Sequence, residues 1–127
     1  MPPVTVVCNP DRPFGRKKIV TSPPVKLLAE KHAIPVFQPE NLNTEAIQKL
    51  QEFQADVFVV AAYSKILKKE VIEVPRLGVI GVHPSLLPKY RGATPIQSVI
   101  LAGEKETGTT LFLIDEKVDH GAILSQE

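Results

Sequence analysis

Two residues in this chain have the type and the setting to move a proton. His83 closes the apolar run Gly78-Val79-Ile80-Gly81-Val82, and the loop Pro84-Ser85-Leu86-Leu87-Pro88-Lys89-Tyr90-Arg91-Gly92 follows it at once. The run reads as a short buried strand, so the histidine sits where a strand empties into a Pro-bounded loop. In open α/β sheets, ligands bind in the crevice outside the carboxyl ends of the strands. An imidazole in that place can gain or lose a proton near neutral pH. Asp119 lies 36 residues further on, in a polar loop that also follows an apolar strand, with Gly121 close behind it. A carboxylate beside an imidazole supports its charged form, and neighbouring strand ends would bring the two together. Each residue has a plainer alternative: a satisfied loop histidine, and a turn carboxylate of the kind that Asp and Gly favour. His120, beside Asp119, reads as a loop histidine.

The elements that must position these residues alternate between strands and helices. Residues 4–8 form a strand candidate ended by Asn9-Pro10, and the stretch to Ser22, rich in Pro, Gly and basic residues, reads as a loop. Pro24 suits the first turn of a helix, with Ser22 or a neighbour as cap. Val25, Leu28 and Ala29 give that helix an apolar face up to about Lys31. Residues 34–37 are extended, and residues 44–53 form a second helix with Ile47, Leu50 and Phe53 on one side. Residues 57–61 are continuously apolar, like strands buried in parallel sheets. Residues 67–74 read as a short helix stopped by Pro75. After the strand at 79–82 comes the best-marked helix, with Thr94 as cap, Pro95 at its first position and Gly103 past its end. Residues 111–114 form another buried strand, and residues 122–124 begin one more. The alternation points to a single α/β domain with a mainly parallel sheet. Both ends look abrupt, since the chain starts in a strand and stops during one.

Bulk properties narrow the classes of function. The 127 residues suffice for one modest core. A net charge of +1 argues against whole-molecule affinity for nucleic acid, so DNA is not expected and any RNA contact must come from a local patch. Arg12, Arg16, Lys17 and Lys18 form such a patch, because clustered positive charge binds phosphate; its alternative is a solvated charged loop. The single Cys8 excludes an internal disulfide and a cysteine metal cluster. It lies inside an apolar run and reads as a buried structural thiol, and no metal is expected. No run of about 18 apolar residues suggests a membrane span, and Met1-Pro2-Pro3 lacks the character of a signal peptide. A reducing cytoplasm is the simplest setting. No dinucleotide fingerprint or phosphate loop is present, so neither NAD nor ATP is expected.

The loop through Gly92, the string Gly92-Ala93-Thr94-Pro95-Ile96-Gln97 and the segment from Thr107 to Gly121 together resemble the folate-dependent formyltransferases. Upstream, Asn9-Pro10-Asp11-Arg12-Pro13-Phe14-Gly15-Arg16-Lys17-Lys18, Pro23-Pro24-Val25-Lys26, Ile34-Pro35-Val36-Phe37-Gln38-Pro39 and Ala55-Asp56-Val57-Phe58-Val59-Val60-Ala61-Ala62-Tyr63 extend the resemblance over nearly the whole chain. Within the family it is closest to the members that act on methionyl-tRNA. The resemblance implies a Rossmann-like three-layer α/β/α fold, incomplete here, because family domains begin with an additional strand and helix and continue further. It implies transfer of a formyl group from 10-formyltetrahydrofolate to the amino group of initiator methionyl-tRNA. His83 then takes the acid/base position and Asp119 the carboxylate position.

The same resemblance places the pterin of folate between two loops. Ser64, Lys65, Ile66 and Leu67 come from one, and Ile114, Val118 and Asp119 from the other, as apolar walls with few polar anchors. The alternative is that Ile66 and Leu67 merely start a helix. Ser85, Leu86, Leu87 and Pro88 fall at substrate-binding positions. Arg12, Arg16, Lys17 and Lys18 fall where the tRNA enzymes carry a basic acceptor-arm loop. One position departs from the family: an asparagine belongs two residues before the histidine, and Gly81 stands there. That amide hydrogen-bonds the oxygen that becomes negative during transfer, and losing one such donor typically costs about 10²–10³ in rate. Three readings therefore stand: a formyltransferase for methionyl-tRNA weakened by Gly81, one for a sugar amine or a glycinamide ribonucleotide, and a non-catalytic folate- or tRNA-binding remnant.

Overall fold

The computed structural model describes residues 2–127. It divides into two compact units, Met1–Phe53 and Gln54–Glu127.

In the first unit, strand β1 (Val6–Val7) is followed by strands β2 (Arg12–Phe14) and β3 (Ile19–Thr21), helix α1 (Pro24–Lys31), strand β4 (Val36–Phe37) and helix α2 (Thr44–Glu52). β1 and β4 pair in parallel, with Val6 opposite Val36. Helix α1 connects these strands and packs on both, burying Ala29. Helix α2 is capped by Asn43, whose side chain accepts the Ala46 N–H at 3.0 Å. It buries Ala46 and Leu50, while Phe53 packs on Phe37 with ring centroids 6.1 Å apart.

The stretch from Asn9 to Ser22 is not the loop expected from its composition. β2 and β3 form an antiparallel hairpin with Pro13 opposite Val20 and Phe14 opposite Ile19. The β-branched Ile19, Val20 and Thr21 supply strand propensity. Pro13, which has no N–H to give, is tolerated because a two-stranded sheet has only edge strands. The turn is closed by the Lys18 N–H on the Gly15 carbonyl at 3.1 Å. Ser22 does not cap α1 either: the cap position is Pro23, without a side-chain bond, and the Ser22 hydroxyl donates to Asp11 at 2.9 Å.

The second unit holds strand β5 (Phe58–Ala61), helix α3 (Lys69–Ile72), strand β6 (Val79–His83), helix α4 (Pro95–Leu101) and strands β7 (Thr110–Leu113) and β8 (Ile123–Gln126). They form one sheet in the order β5-β6-β7-β8. β5 and β6 are parallel, whereas β7 runs antiparallel to both β6 and β8. β6 includes His83 as its last residue, and Val79, Gly81 and His83 are all buried along one face of it. Helix α4 opens at Pro95 as expected, but Thr94 makes no side-chain cap bond. Helix α3 starts at Lys69, so Ile66 and Leu67 precede it and do not begin it. Val71, Val79, Leu87, Val99 and Phe112 form the apolar interior, accompanied by buried His83, Ser85 and Thr110. Among the described residues, no helix is long and apolar enough to cross a membrane.

Candidate functional site

His83 and Asp119 do meet, though not through neighbouring strand ends. His83 lies opposite Thr110 at the start of β7, while the exit of β7, Leu113, lies opposite Ile80. Contact is made instead by the loops after β6 and β7. The Gly92 N–H donates to Asp119 Oδ2 at 2.8 Å, and Arg91 Nε donates to the Asp119 carbonyl at 2.8 Å. Asp119 Oδ2 then stands 3.7 Å from His83 Nδ1, with both side chains largely buried.

The other imidazole nitrogen is fixed by the backbone. His83 Nε2 lies 2.8 Å from the Tyr90 carbonyl oxygen. A carbonyl can only accept, so Nε2 carries the hydrogen. In the neutral ring Nδ1 therefore keeps its lone pair. Tyr90 and Asp119, which face the two nitrogens, both have left-handed backbone, at φ 57° and 49°. Aspartate tolerates that region through its short polar side chain. A tyrosine there is held by its surroundings.

Those surroundings are a buried polar network that the sequence reading missed. The Thr110 hydroxyl donates to the Ser85 carbonyl at 2.7 Å and accepts the Leu87 N–H at 3.1 Å. Gln126 Nε2 donates both to that hydroxyl and to the Leu87 carbonyl, at 2.9 and 2.8 Å. The Ser85 hydroxyl donates to the Lys89 carbonyl at 2.7 Å, bracing the loop from within. At its outer side the Tyr90 hydroxyl donates to Glu104 at 2.7 Å, joined by Lys89 at 3.2 Å. The hydrogen bond from Tyr90, with help from Lys89, holds the Glu104 carboxyl below its ordinary range. The same bond pushes the Tyr90 phenol up.

Gly81 faces a side chain, not a backbone. It lies opposite Phe112 across the β6–β7 pair. A Cβ at position 81 would come within 2.6 Å of Phe112 Cζ, closer still to Cε1, and 3.1 Å from Ile114 Cγ1. Phe112 is itself buried. Its ring fills the space where a residue-81 side chain would begin.

The remaining expected site residues fall into two groups. Ser64 and Ile66 are exposed, Lys65 and Leu67 half-buried, Ile114 half-buried and Val118 exposed. Lys69 and Glu116, 3.9 Å apart, tie the start of α3 to the loop that carries Val118. Gly121 in that loop cannot take a side chain, because a Cβ there would run into the Leu113 carbonyl. Ser85 and Leu87 are buried, whereas Leu86 and Pro88 face solvent. His120 is a half-exposed loop residue 3.7 Å from Asp115. In the first unit, Arg16, Lys17 and Lys18 form the hairpin turn, while Arg12 lies in β2 and pairs with Glu40. Asp11 at the hairpin base accepts from Gln38 and Lys26, each at 2.8 Å, besides Ser22. These hydrogen bonds hold its carboxyl down at about 2. Cys8 is buried, and burial pushes its thiol up. Among the described residues, no group of three or more His, Cys, Asp and Glu gathers as a metal site.

The pattern of the formyl transferase family matches residues 2–127. Methionyl-tRNA formyltransferase of Halalkalibacterium halodurans is 53% identical over 122 residues, which cover 95% of this chain and 38% of that protein. The methionyl-tRNA formyltransferase of a Synechococcus species is 54% identical over 125 residues, covering 97% of this chain and 39% of that protein. Among solved structures, phosphoribosylglycinamide formyltransferase from Bacillus halodurans superposes with a TM-score of 0.79 at 27% identity, over 98% of this chain and 63% of that one. The chain thus spans about two-fifths of the length of the curated relatives it matches, and it shares the Rossmann-like α/β fold of the solved structure.

Proposed function

Because this chain belongs to the formyl transferase family, whose members move one-carbon groups, we propose that it carries the transfer site for formylation of the amino group of methionyl-tRNA, with 10-formyltetrahydrofolate as donor. The observation that carries this reading is the pairing of His83 Nδ1 with Asp119 Oδ2 at 3.7 Å, with Nε2 held by Tyr90. The donor supplies the formyl carbon, and the amine nitrogen bonds to that carbon as the bond to the folate nitrogen breaks. One proton must leave the amine and one must reach the folate nitrogen. Nδ1, with its lone pair on the side of Asp119, takes the proton from the amine and returns it to the folate nitrogen as that nitrogen departs. The Asp119 carboxylate then faces the charged ring and stabilises it.

The folate is held by the loop before α3 and the loop after β7, where Lys69 at the start of α3 and Glu116 stand 3.9 Å apart at the surface. Ile66 and Val118, exposed at 80% and 63%, offer apolar walls, with Ser64, Lys65, Leu67 and Ile114 beside them in the chain. Leu86 and Pro88 lie on the acceptor side. The hairpin turn Arg16-Lys17-Lys18 presents positive charge to the tRNA backbone, in a cytoplasmic enzyme. Gly81 gives no side-chain donor, so transfer runs slower than with an amide, by about 10²–10³-fold.

A non-catalytic, folate-binding role is the second reading, and the buried Phe112 ring against Gly81 favours it. Formyl transfer from 10-formyltetrahydrofolate to methionyl-tRNA, measured for this chain and for His83→Ala, separates the two. Slow transfer that disappears in His83→Ala supports the first reading. Folate binding with no transfer in either supports the second.

A further inference from the structure

We propose that Gly81 and Phe112 are a coupled pair, in which the aromatic ring has taken the volume of the residue-81 side chain and thereby determines what chemistry that position can hold. Gly81 is buried in mid-strand, with no positive φ to call for a glycine. The requirement for glycine there comes from Phe112. Its Cε1 and Cζ atoms lie where a Cβ would be and are the two atoms nearest to it, with Ile114 Cγ1 next at 3.1 Å. The two residues are direct cross-strand partners, and side chains so placed interact directly. The ring is 3% exposed in a close-packed interior, so it has little room to swing aside.

Position 81 also shares its face of β6 with His83. Phe112 therefore acts as a specificity-determining residue at one remove from the reacting atoms. While the ring stays, no side-chain donor can stand on that face before His83. Replacing Gly81 alone would push against the ring and displace it or the strand. Phe112→Leu removes Cε1 and Cζ and frees the space a Cβ needs. The pairing itself follows from packing, and its catalytic consequence rests on the formyl-transfer reading above.

A double-mutant cycle tests the pair without any substrate. Gly81→Ala lowers the thermal midpoint on the order of 5–10 °C in the parent, and that loss shrinks to a degree or two in the Phe112→Leu background. If Gly81→Ala does not fold, its recovery by Phe112→Leu is the same result. Equal losses in both backgrounds, or failure of the double variant to fold, overturn the coupling. Activity is read separately, with Gly81→Asn and with Gly81→Asn combined with Phe112→Leu. The double variant alone gains about 10²–10³-fold in formyl transfer. A gain already present in Gly81→Asn by itself would contradict the proposal. Coupling in the stability cycle with no transfer in any variant leaves the pair standing and removes the formyl-transfer reading.

Discussion

His83 and Tyr90 are joined through the backbone: the Nε2 hydrogen of the imidazole points at the Tyr90 carbonyl oxygen across 2.8 Å. This bond decides which nitrogen is free for chemistry, since a ring with one hydrogen cannot also place one on Nδ1. The neutral His83 is therefore expected as the Nε2–H tautomer. Long-range proton–nitrogen correlation on labelled protein reads this directly. A protonated Nδ1 in the neutral ring would show that Asp119, and not Tyr90, sets the tautomer.

Asp119→Asn separates charge from shape. Asparagine keeps an oxygen to accept the Gly92 N–H, now at 2.8 Å from Asp119 Oδ2, and it tolerates left-handed backbone as aspartate does. Stability should change little, while the negative charge opposite His83 Nδ1 is lost. Formyl transfer is expected to fall about 10²–10⁴-fold, the range typical of acid–base assistance, with the thermal midpoint shifted by no more than a few degrees. A large loss of stability with transfer intact would make Asp119 a structural turn residue.

Much of this arrangement could be read from the chain alone, and the reasons it could not be read further are specific. The end of β6 at His83 is legible because an apolar run meets a Pro-bounded loop, a contrast written in adjacent residues. Helix α4 was legible from Pro95 and Gly103 in the same way. The direction of β7 was not, because the run Leu111-Phe112-Leu113 reads identically whether it pairs parallel or antiparallel. The meeting of Gly81 with Phe112 depends on that register and was hidden with it. Thr110 lies one residue before the strand expected at 111–114, and nothing in its neighbours marks it; its burial and its bonds to the Ser85 carbonyl and the Leu87 N–H show it to be a hydrogen-bond hub. The hairpin at 12–21 was masked by Pro13 and the basic turn, whose composition outweighed the strand-forming Ile19-Val20-Thr21.

Thr110→Val tests that hub. Valine fills the same space but leaves the Ser85 carbonyl and the Leu87 N–H each short of a partner in a buried setting, while the exposed Gln126 amide keeps its bond to the Leu87 carbonyl. Unsatisfied buried polar groups cost about 1–3 kcal/mol each, and partial rearrangement brings the sum to about 2–4 kcal/mol. The thermal midpoint should drop on the order of 10 °C, whereas Thr110→Ser, which keeps the hydroxyl, should recover most of the loss. Equal effects of the two substitutions would mean that the methyl group matters and the hydroxyl does not.

Asp11 links the stability of the first unit to acid. Its carboxyl is held at about 2, against an ordinary value of 3.8, by hydrogen bonds from Gln38, Lys26 and Ser22. A carboxyl depressed in the folded state binds its proton more readily when unfolded, so its stabilising contribution is present above the unfolded value. That contribution fades as the pH falls from about 4 to about 2, and lowering the pH through this window should open the hairpin base. Carbon-detected titration of the Asp11 carboxyl should show a midpoint near 2. In Asp11→Asn, stability should change less between pH 4 and 2 than it does in the parent. A midpoint at the ordinary value, or an unchanged slope in the variant, would dissociate the network from acid sensitivity.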